Sequence, residues 1–365
     1  MSNYYLILIW IAIFCVFGMV VQTQRTEMVV GQKVWRTKPF WAMVLTAPLV
    51  FWTANRGYII DTGVYIEMFA GLPVDVGGIA GYMETVEKDR GFYFLSVLIK
   101  TFISSDVKVY FFILAAVQAY LLFRVYRKYS TRYAISFFLF IASTDYVSWM
   151  FNGIRQFTAV TITLLAFDFI VEKKYIRAVA IVLFASLFHQ SALLVIPFIF
   201  ISQGKAWNKK TLLFIILVVL AITYVEQFTN LLDDMLQETQ YTNVVSDWKE
   251  WEDDGTSIIR VLVYAVPTIL SLVGFRYIKY ENDKVINICT NMSIISVCFY
   301  VISMFTSGIF IGRLPIYFSL FGYILLPWEI DHMFEERSAT LVYGAMIVAY
   351  LAFYYYQVHM MWGFA

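Results

Sequence analysis

The feature that most limits the fold is a series of apolar stretches, most of them close to the roughly 20 residues a helix needs to cross a hydrocarbon core. They run at about 4–22, 40–54, 107–127, 131–150, 153–171, 211–227, 258–275, 285–304, 311–327 and 339–357, and 91–104 and 176–201 are further apolar segments. Apolar residues surround these predicted helices on all sides instead of forming one stripe. Only 15% of the 365 residues are charged and 61% are apolar, against roughly 25% charged in an ordinary soluble domain. That is too little charge to cover soluble domains, and 27 Lys+Arg nearly cancel 26 Asp+Glu. A soluble enzyme, a disordered chain and a nucleic-acid binder with a basic face are all disfavoured. The expected fold is an all-α polytopic integral membrane protein with about 10–12 transmembrane helices and one or two re-entrant or broken segments, forming a single transmembrane domain over 1–365.

Cysteine adds little. Cys15, Cys289 and Cys298 lie inside apolar runs without ligand-like spacing, and buried packing is the expected role of each. With His189, His332 and His359 as the only histidines, no metal site or other cofactor is expected. The first apolar run lacks a basic leader, so it is read as a span and not as a cleaved signal.

Orientation follows from Lys and Arg in the short loops. Basic loops lie at Arg25–Lys38, Arg124–Arg132, Lys173–Arg177, Lys205–Lys210 and Arg276–Lys284, whereas the longer connections 55–90 and 228–257 are acidic. With the basic loops in the cytoplasm, both acidic connections and both termini lie outside. The acidic loop Glu329–Arg337 fits this scheme poorly. The scheme closes if 91–104 dips in from the outer face or lies along it. It also needs 176–201 to form two half-helices broken near His189-Gln190-Ser191. A single tilted helix is the alternative for 176–201.

Arg56, Lys88, Arg90, Arg155, Lys249, Arg260 and Arg313 then lie on the outer side, against the orientation bias. Arginine suits phosphate because its planar fork donates two parallel hydrogen bonds and is always charged. Snorkelling to lipid phosphates is the competing account for each one. Asn152-Gly153-Ile154-Arg155-Gln156 is the sharpest local pattern: Asn152 reads as an N-cap, and the free N–H groups of the first turn attract anions. Asn152, Arg155 and Gln156 together could hold a phosphate or a sugar ring, or form an ordinary capped helix with an interfacial Arg. Arg313 repeats the theme in Gly312-Arg313-Leu314-Pro315. His189 reads either as a structural residue or as a hydrogen-bond partner of a sugar hydroxyl. Asp61 and Asp89, each close to an arginine, are candidate general bases, although most acids of an outer loop are simply solvated. Trp248 and Trp251, with the acids of 233–254, read as a solvated surface near the headgroups.

Several pieces together resemble one family. Arg56…Asp61-Thr62…Tyr65, Asp89-Arg90-Gly91, Asn152-Gly153-Ile154-Arg155-Gln156, Phe188-His189-Gln190-Ser191-Ala192-Leu193 and Arg313…Tyr317-Phe318 occur in the order found in EpsG-like, Wzy-type exopolysaccharide polymerases of bacteria. The resemblance spans about 50–330; the family often has Glu where Asp89 stands, and the tail after 330 carries no matched motif. It implies a glycosyltransferase-C-like membrane enzyme of the bacterial plasma (inner) membrane, acting at the outer face on undecaprenyl-diphosphate-linked oligosaccharide repeat units without a metal. Under it, Arg155 and Arg313 would bind the diphosphate, supported by Arg56 and Arg90. Asp61 or Asp89 would activate the acceptor hydroxyl, while Asn152, Gln156 and His189 would position sugars. The expected partners are the lipid-linked oligosaccharide, membrane lipids, a chain-length regulator and other polysaccharide-assembly proteins, with no nucleic acid. Two competing readings are a flippase or transporter of lipid-linked oligosaccharide and an integral acyltransferase using His189. Transport wants ionisable residues near the midplane and related halves, neither of which the sequence displays.

Overall fold

The computed structural model describes residues 3–29, 32–236, 255–308 and 310–363. They form an all-α polytopic membrane architecture with one small β-hairpin. Among these residues four helices are long and apolar enough to cross a bilayer: Val107–Tyr129, Ile154–Val171, Lys284–Met304 and Glu336–Met361. Seven qualify if each sharply bent pair counts as one span, and Leu6–Val20, Pro39–Ala54, Tyr175–Ser186 and Gln190–Ile201 are shorter apolar helices. The chain packs as two compact units, Met1–Ile196 with Phe334–Ala365, and Pro197–Met333.

In the first unit Val107–Tyr129 is the central helix, and Pro39–Ala54, Tyr133–Ala142 and Ile154–Thr163 pack on it. Its core is aromatic: Phe92, Tyr110, Phe137, Phe140, Phe151 and Phe157 are fully buried. Phe69 stacks on Tyr110 with centroids 4.3 Å apart. The terminal helix closes onto the start of the chain, where the Tyr354 hydroxyl donates to the Tyr4 carbonyl at 2.6 Å.

The basic stretch 25–38, expected as a loop, is instead an antiparallel hairpin of Gln24–Val29 with Gln32–Thr37. It has a period-two pattern that leaves Trp35 and Met28 exposed while Arg36 is buried. Arg36 Nε donates to the Lys128 carbonyl at 2.8 Å, and Arg127 Nη1 reaches both Glu27 oxygens at 3.0 Å. These bonds tie the hairpin to the end of Val107–Tyr129.

The acidic connection 55–90 is not an open loop either, since it contains the helices Thr62–Ala70 and Gly77–Thr85. Nor does 91–104 dip and return. It belongs to one unbroken helix, Arg90–Phe102, with Phe92, Ser96, Ile99 and Lys100 buried. That spacing of roughly one and two turns is what an amphipathic helix requires, and it leaves no place for a reversal. Buried Lys100 ends the neighbouring helix by donating to the Phe69 and Ala70 carbonyls at 2.7 and 2.6 Å. The break near His189 is present: Tyr175–Ser186 stops, and the 3₁₀ turn Gln190–Leu194 folds back onto it.

In the second unit Lys284–Met304 is the centre, packed by Lys209–Thr223, Ile258–Val273 and Gly322–Met333. Cys289 and Cys298 are buried in it as expected, but Cys15 is exposed on Leu6–Val20. Being apolar does not bury a residue on a helix that faces lipid. Of the connection 228–257, Val225–Leu236 continues as helix. Trp248, Lys249, Trp251 and the acids beyond 236 lie outside the described residues.

Candidate active site

The site is assembled from four segments of the first unit, and two local breaks in helical order create it. The first is a π-helical turn, Tyr146–Asn152, bent by 75° from Tyr133–Ala142. Such turns widen the backbone and redirect the side chains that leave it. Asn152 ends this turn and is therefore not the expected N-cap of the next helix. Gly153 takes the cap position of Ile154–Thr163 without any side-chain cap bond. A side chain there would collide with Trp149, whose ring stands 2.9 Å from a Cβ built on Gly153. Freed from capping, Asn152 turns its amide nitrogen toward Asp61 and donates to Oδ2 at 2.6 Å and Oδ1 at 3.2 Å. This amide orientation is assigned from the hydrogen-bond network.

The second break places Asp89. Its backbone is left-handed, φ 51°, immediately before the helix Arg90–Phe102. Gly91 makes that approach feasible: its N–H donates to the Leu187 carbonyl at 2.8 Å, and a Cβ on it would stand 2.9 Å from Leu187 Cβ and O. Asp89 is thereby docked beside the 187–190 turn, where the Gln190 backbone N–H also meets its carboxylate.

Arg155, in the first turn of Ile154–Thr163, joins the two. Its Nη1 donates to Asp89 Oδ2 at 3.0 Å, with the Asp89 side chain 1% exposed and that of Arg155 38% exposed. The positive charge opposes the helix dipole, and Asp89 supplies the compensating anion. Tyr65, from Thr62–Ala70, is buried, and both the backbone and the side chain of Arg155 hydrogen-bond to its hydroxyl. Burial raises the Tyr65 phenol above its usual range, with Arg155 opposing the shift and Asp61 adding to it. Burial likewise raises the Asp89 carboxyl, against the pull of Arg155, the Gln190 N–H and Lys88.

Arg56 underlies the cluster. Its guanidinium lies 3.8 Å from the Phe111 ring centre and donates to Thr62 Oγ1 at 3.2 Å and the Met150 carbonyl at 3.2 Å. Burial lowers it to about 10, which leaves it charged at neutral pH. It therefore braces the segments that carry Asp61 and Asn152, and its Nη2 has no partner among the described residues.

Gln156 is buried beside Arg155 in the chain. His189 Nδ1 is 2.6 Å from Ser191 Oγ and caps its own turn. Arg90 is exposed and donates to the Met83 carbonyl at 3.1 Å. Arg313 belongs to the second unit, exposed in the 3₁₀ turn Ile311–Arg313. There Gly312 allows a close approach, with Thr256 Oγ1 2.7 Å from where its Cβ would be. The structure thus joins Asp61, Asn152, Arg155 and Asp89 in one polar cluster braced by Arg56. Tyr65, which the sequence marks only as part of a motif, belongs to it as well, and its three-residue spacing from Thr62 on one helix face was the available signal. Among the described residues no three His, Cys, Asp or Glu side chains converge as metal ligands.

The family model described as the EpsG family matches residues 40–363. No curated protein and no solved structure matches the chain. The match reaches through the tail after 330, where no motif is recognisable, and covers nearly the whole protein. The chain belongs to the EpsG family, a family of Wzy-like polymerases, and so has an exopolysaccharide-polymerase-like role and, at a coarse level, the activity of a polymerase-type glycosyltransferase.

Proposed function

Starting from that membership, we propose that the protein joins undecaprenyl-diphosphate-linked oligosaccharide repeat units at the outer face of a bacterial plasma membrane, without a metal. The observation that carries the reading is the half-exposed guanidinium of Arg155, held from behind by the sealed carboxylate of Asp89. A group fixed on one side and open on the other is suited to a polyanion that arrives from solvent. The N–H groups of the first turn of Ile154–Thr163 lie beside it and favour the same charge.

In this reading the bond between the anomeric carbon and the diphosphate of the donor breaks, and the acceptor hydroxyl oxygen forms the new glycosidic bond. Charge gathers on the departing diphosphate, where Arg155 stabilises it. Asp61 takes the acceptor proton, because it is the more exposed carboxylate and Asn152 fixes its orientation. Asp89 orients Arg155. Tyr65 holds Arg155 in register with Asp61. Gln156 and His189 contribute sugar contacts, and Arg90 supplies further positive charge. The outward orientation is supported by the excess of Lys and Arg in the opposite loops.

The test is incubation of proteoliposomes with labelled lipid-linked repeat units. A ladder of lengthening products supports the reading. Translocation of units of unchanged length indicates a flippase, and acylated sugar without extension indicates an acyltransferase. Either result overturns it.

A further inference from the structure

The unit Pro197–Met333 contains a second cationic feature, at the end of Lys284–Met304 remote from Arg313. Thr256 N–H bonds to the Ser303 carbonyl at one end of that helix, and the feature surrounds Asn287 at the other, about 24 Å away along the axis. Lys205, Lys209 and Lys279 line a cavity of about 380 Å³ together with Phe275, Asn282 and Asn287. That volume lies in the range of small-molecule sites. Two of the basic loops that set the orientation of the chain meet in it, which places it on the cytoplasmic side by charge bias.

The cavity is built, not incidental. Asn287 and Asn291, one turn apart on a mostly apolar helix, are 5% and 0% exposed. Asn287 Oδ1 accepts from Ala206 N–H at 2.9 Å, and Asn291 Oδ1 from Trp207 N–H at 3.0 Å. Asn291 Nδ2 donates to the Ser202 and Lys205 carbonyls at 2.9 and 3.0 Å. Asn287 Nδ2 donates to Asn282 Oδ1 at 3.1 Å, which secures the opposite wall. The loop also holds Trp207 at φ 55°, a strained conformation for a bulky residue. Two buried amides in a spanning helix are costly unless fully bonded, and here they are spent on fixing a loop that carries lysines.

Those lysines are not there to make ion pairs. Among the described residues Lys205, Lys209 and Lys279 have no carboxylate within ion-pair distance. The acids beside Lys279 in the chain are Glu281, which is exposed, and Asp283, whose Oδ1 accepts from Ile286 N–H as a helix cap. Three ammonium groups around one cavity repel each other, and a phosphate, which lysine binds as a point charge, would relieve that repulsion. Leu272, Val273, Tyr277 and Tyr280, close in sequence to the lining residues Phe275 and Lys279, are exposed, a mixture of aliphatic and aromatic surface found at a headgroup level.

We propose that this pocket binds a phosphate-bearing anion, and that in the bilayer the phosphate is the headgroup of an anionic phospholipid. Basic pockets between spanning helices on the cytoplasmic side take such headgroups. The site lies outside the polymerising cluster, and its occupancy is read by binding, independently of any reaction.

The experiment uses delipidated, purified full-length protein incubated with phosphatidylglycerol or phosphatidylcholine, with retained lipid counted by native mass spectrometry. Wild type is expected to retain phosphatidylglycerol at least tenfold over phosphatidylcholine. K205Q/K209Q/K279Q is expected to bring that ratio to within twofold of unity. The matching triple Lys→Arg variant keeps the preference, which separates charge loss from misfolding. K173Q/K174Q, in another basic loop, leaves the ratio unchanged. A parallel arm adds inorganic phosphate: binding of phosphate that depends on the same three lysines, without lipid preference, supports the site and assigns it to a soluble ligand. If the triple Gln variant binds both probes as wild type does, or if K173Q/K174Q loses as much, the proposal is overturned.

Discussion

Arg155 donates to Asp89 at 3.0 Å across 66 positions of sequence, and the acceptor is sealed while the donor is open. This asymmetry gives the cluster a direction. The carboxylate fixes the guanidinium plane from the protein side, so the remaining N–H groups are preorganised before any ligand arrives. Such preorganisation is where electrostatic stabilisation of a leaving group gains most of its strength.

Removing the charge of Asp89 should therefore harm the reaction more than the fold. Asp89→Asn is expected to lower the rate of chain extension at least tenfold. Stability should change by about 1–2 kcal/mol or less, because Arg155 is partly solvated and burying an ionised carboxylate is itself unfavourable. Extension assays beside thermal unfolding in detergent check both halves. A variant that polymerises normally would show that Asp89 positions nothing.

Asn152→Asp places a second carboxylate 2.6 Å from Asp61. Like charges at that distance force one of them to bind a proton. The expected outcome is a loss of at least tenfold in extension rate and a shift of the pH–rate profile. Asn152→Ala removes only the orienting bond and should retain more activity. Equal rates for the two variants would contradict the assignment.

Gly91→Ala tests the docking of Asp89. Its Cβ would meet the Leu187 backbone oxygen at 2.9 Å, and backbone cannot swing aside. A destabilisation of about 1–3 kcal/mol is expected, as for other overpacked positions, with loss of extension. Adding Leu187→Gly removes one clash and leaves the other, so it should not rescue. Full rescue by the double variant would show that backbone proximity is not the constraint.

The hairpin should undock in acid. Burial would raise the Glu27 carboxyl, but hydrogen bonds from Arg127 and Arg25 lower it below the usual 4.5. A carboxyl depressed by folding contributes its stability above the unfolded value and loses it as pH falls through the folded one. The contribution, about 1 kcal/mol, is thus full at pH 7 and fades below 4.5. Hydrogen exchange of residues 24–29 and 32–37 at pH 7 and pH 3.5 should show faster opening in acid, and Glu27→Gln should remove the difference.

Much of the fold was readable because hydropathy is local: the spans, the break near His189 and the basic loops all follow from composition within a window. The hairpin was missed: Thr26, Met28 and Trp35 alternate with Arg25, Glu27 and Arg36, but the density of charge led to a loop assignment. What else escaped depends on contacts across long separations. Arg155 and Asp89 were both singled out, yet nothing local shows that they pair. The same holds for Asn152, whose cap-like sequence is overridden by the π-helical turn, and for Lys100, whose role depends on the end of a helix 30 residues away.

The most direct measurement is polymer length made by purified Arg155→Ala from lipid-linked repeat units in proteoliposomes, beside Arg155→Lys and wild type. Arg155→Ala is expected to make no chain beyond the starting unit, and Arg155→Lys, which keeps the charge without the fork, to show strongly reduced extension. Long chains from folded Arg155→Ala at the wild-type rate would contradict the role assigned to Arg155.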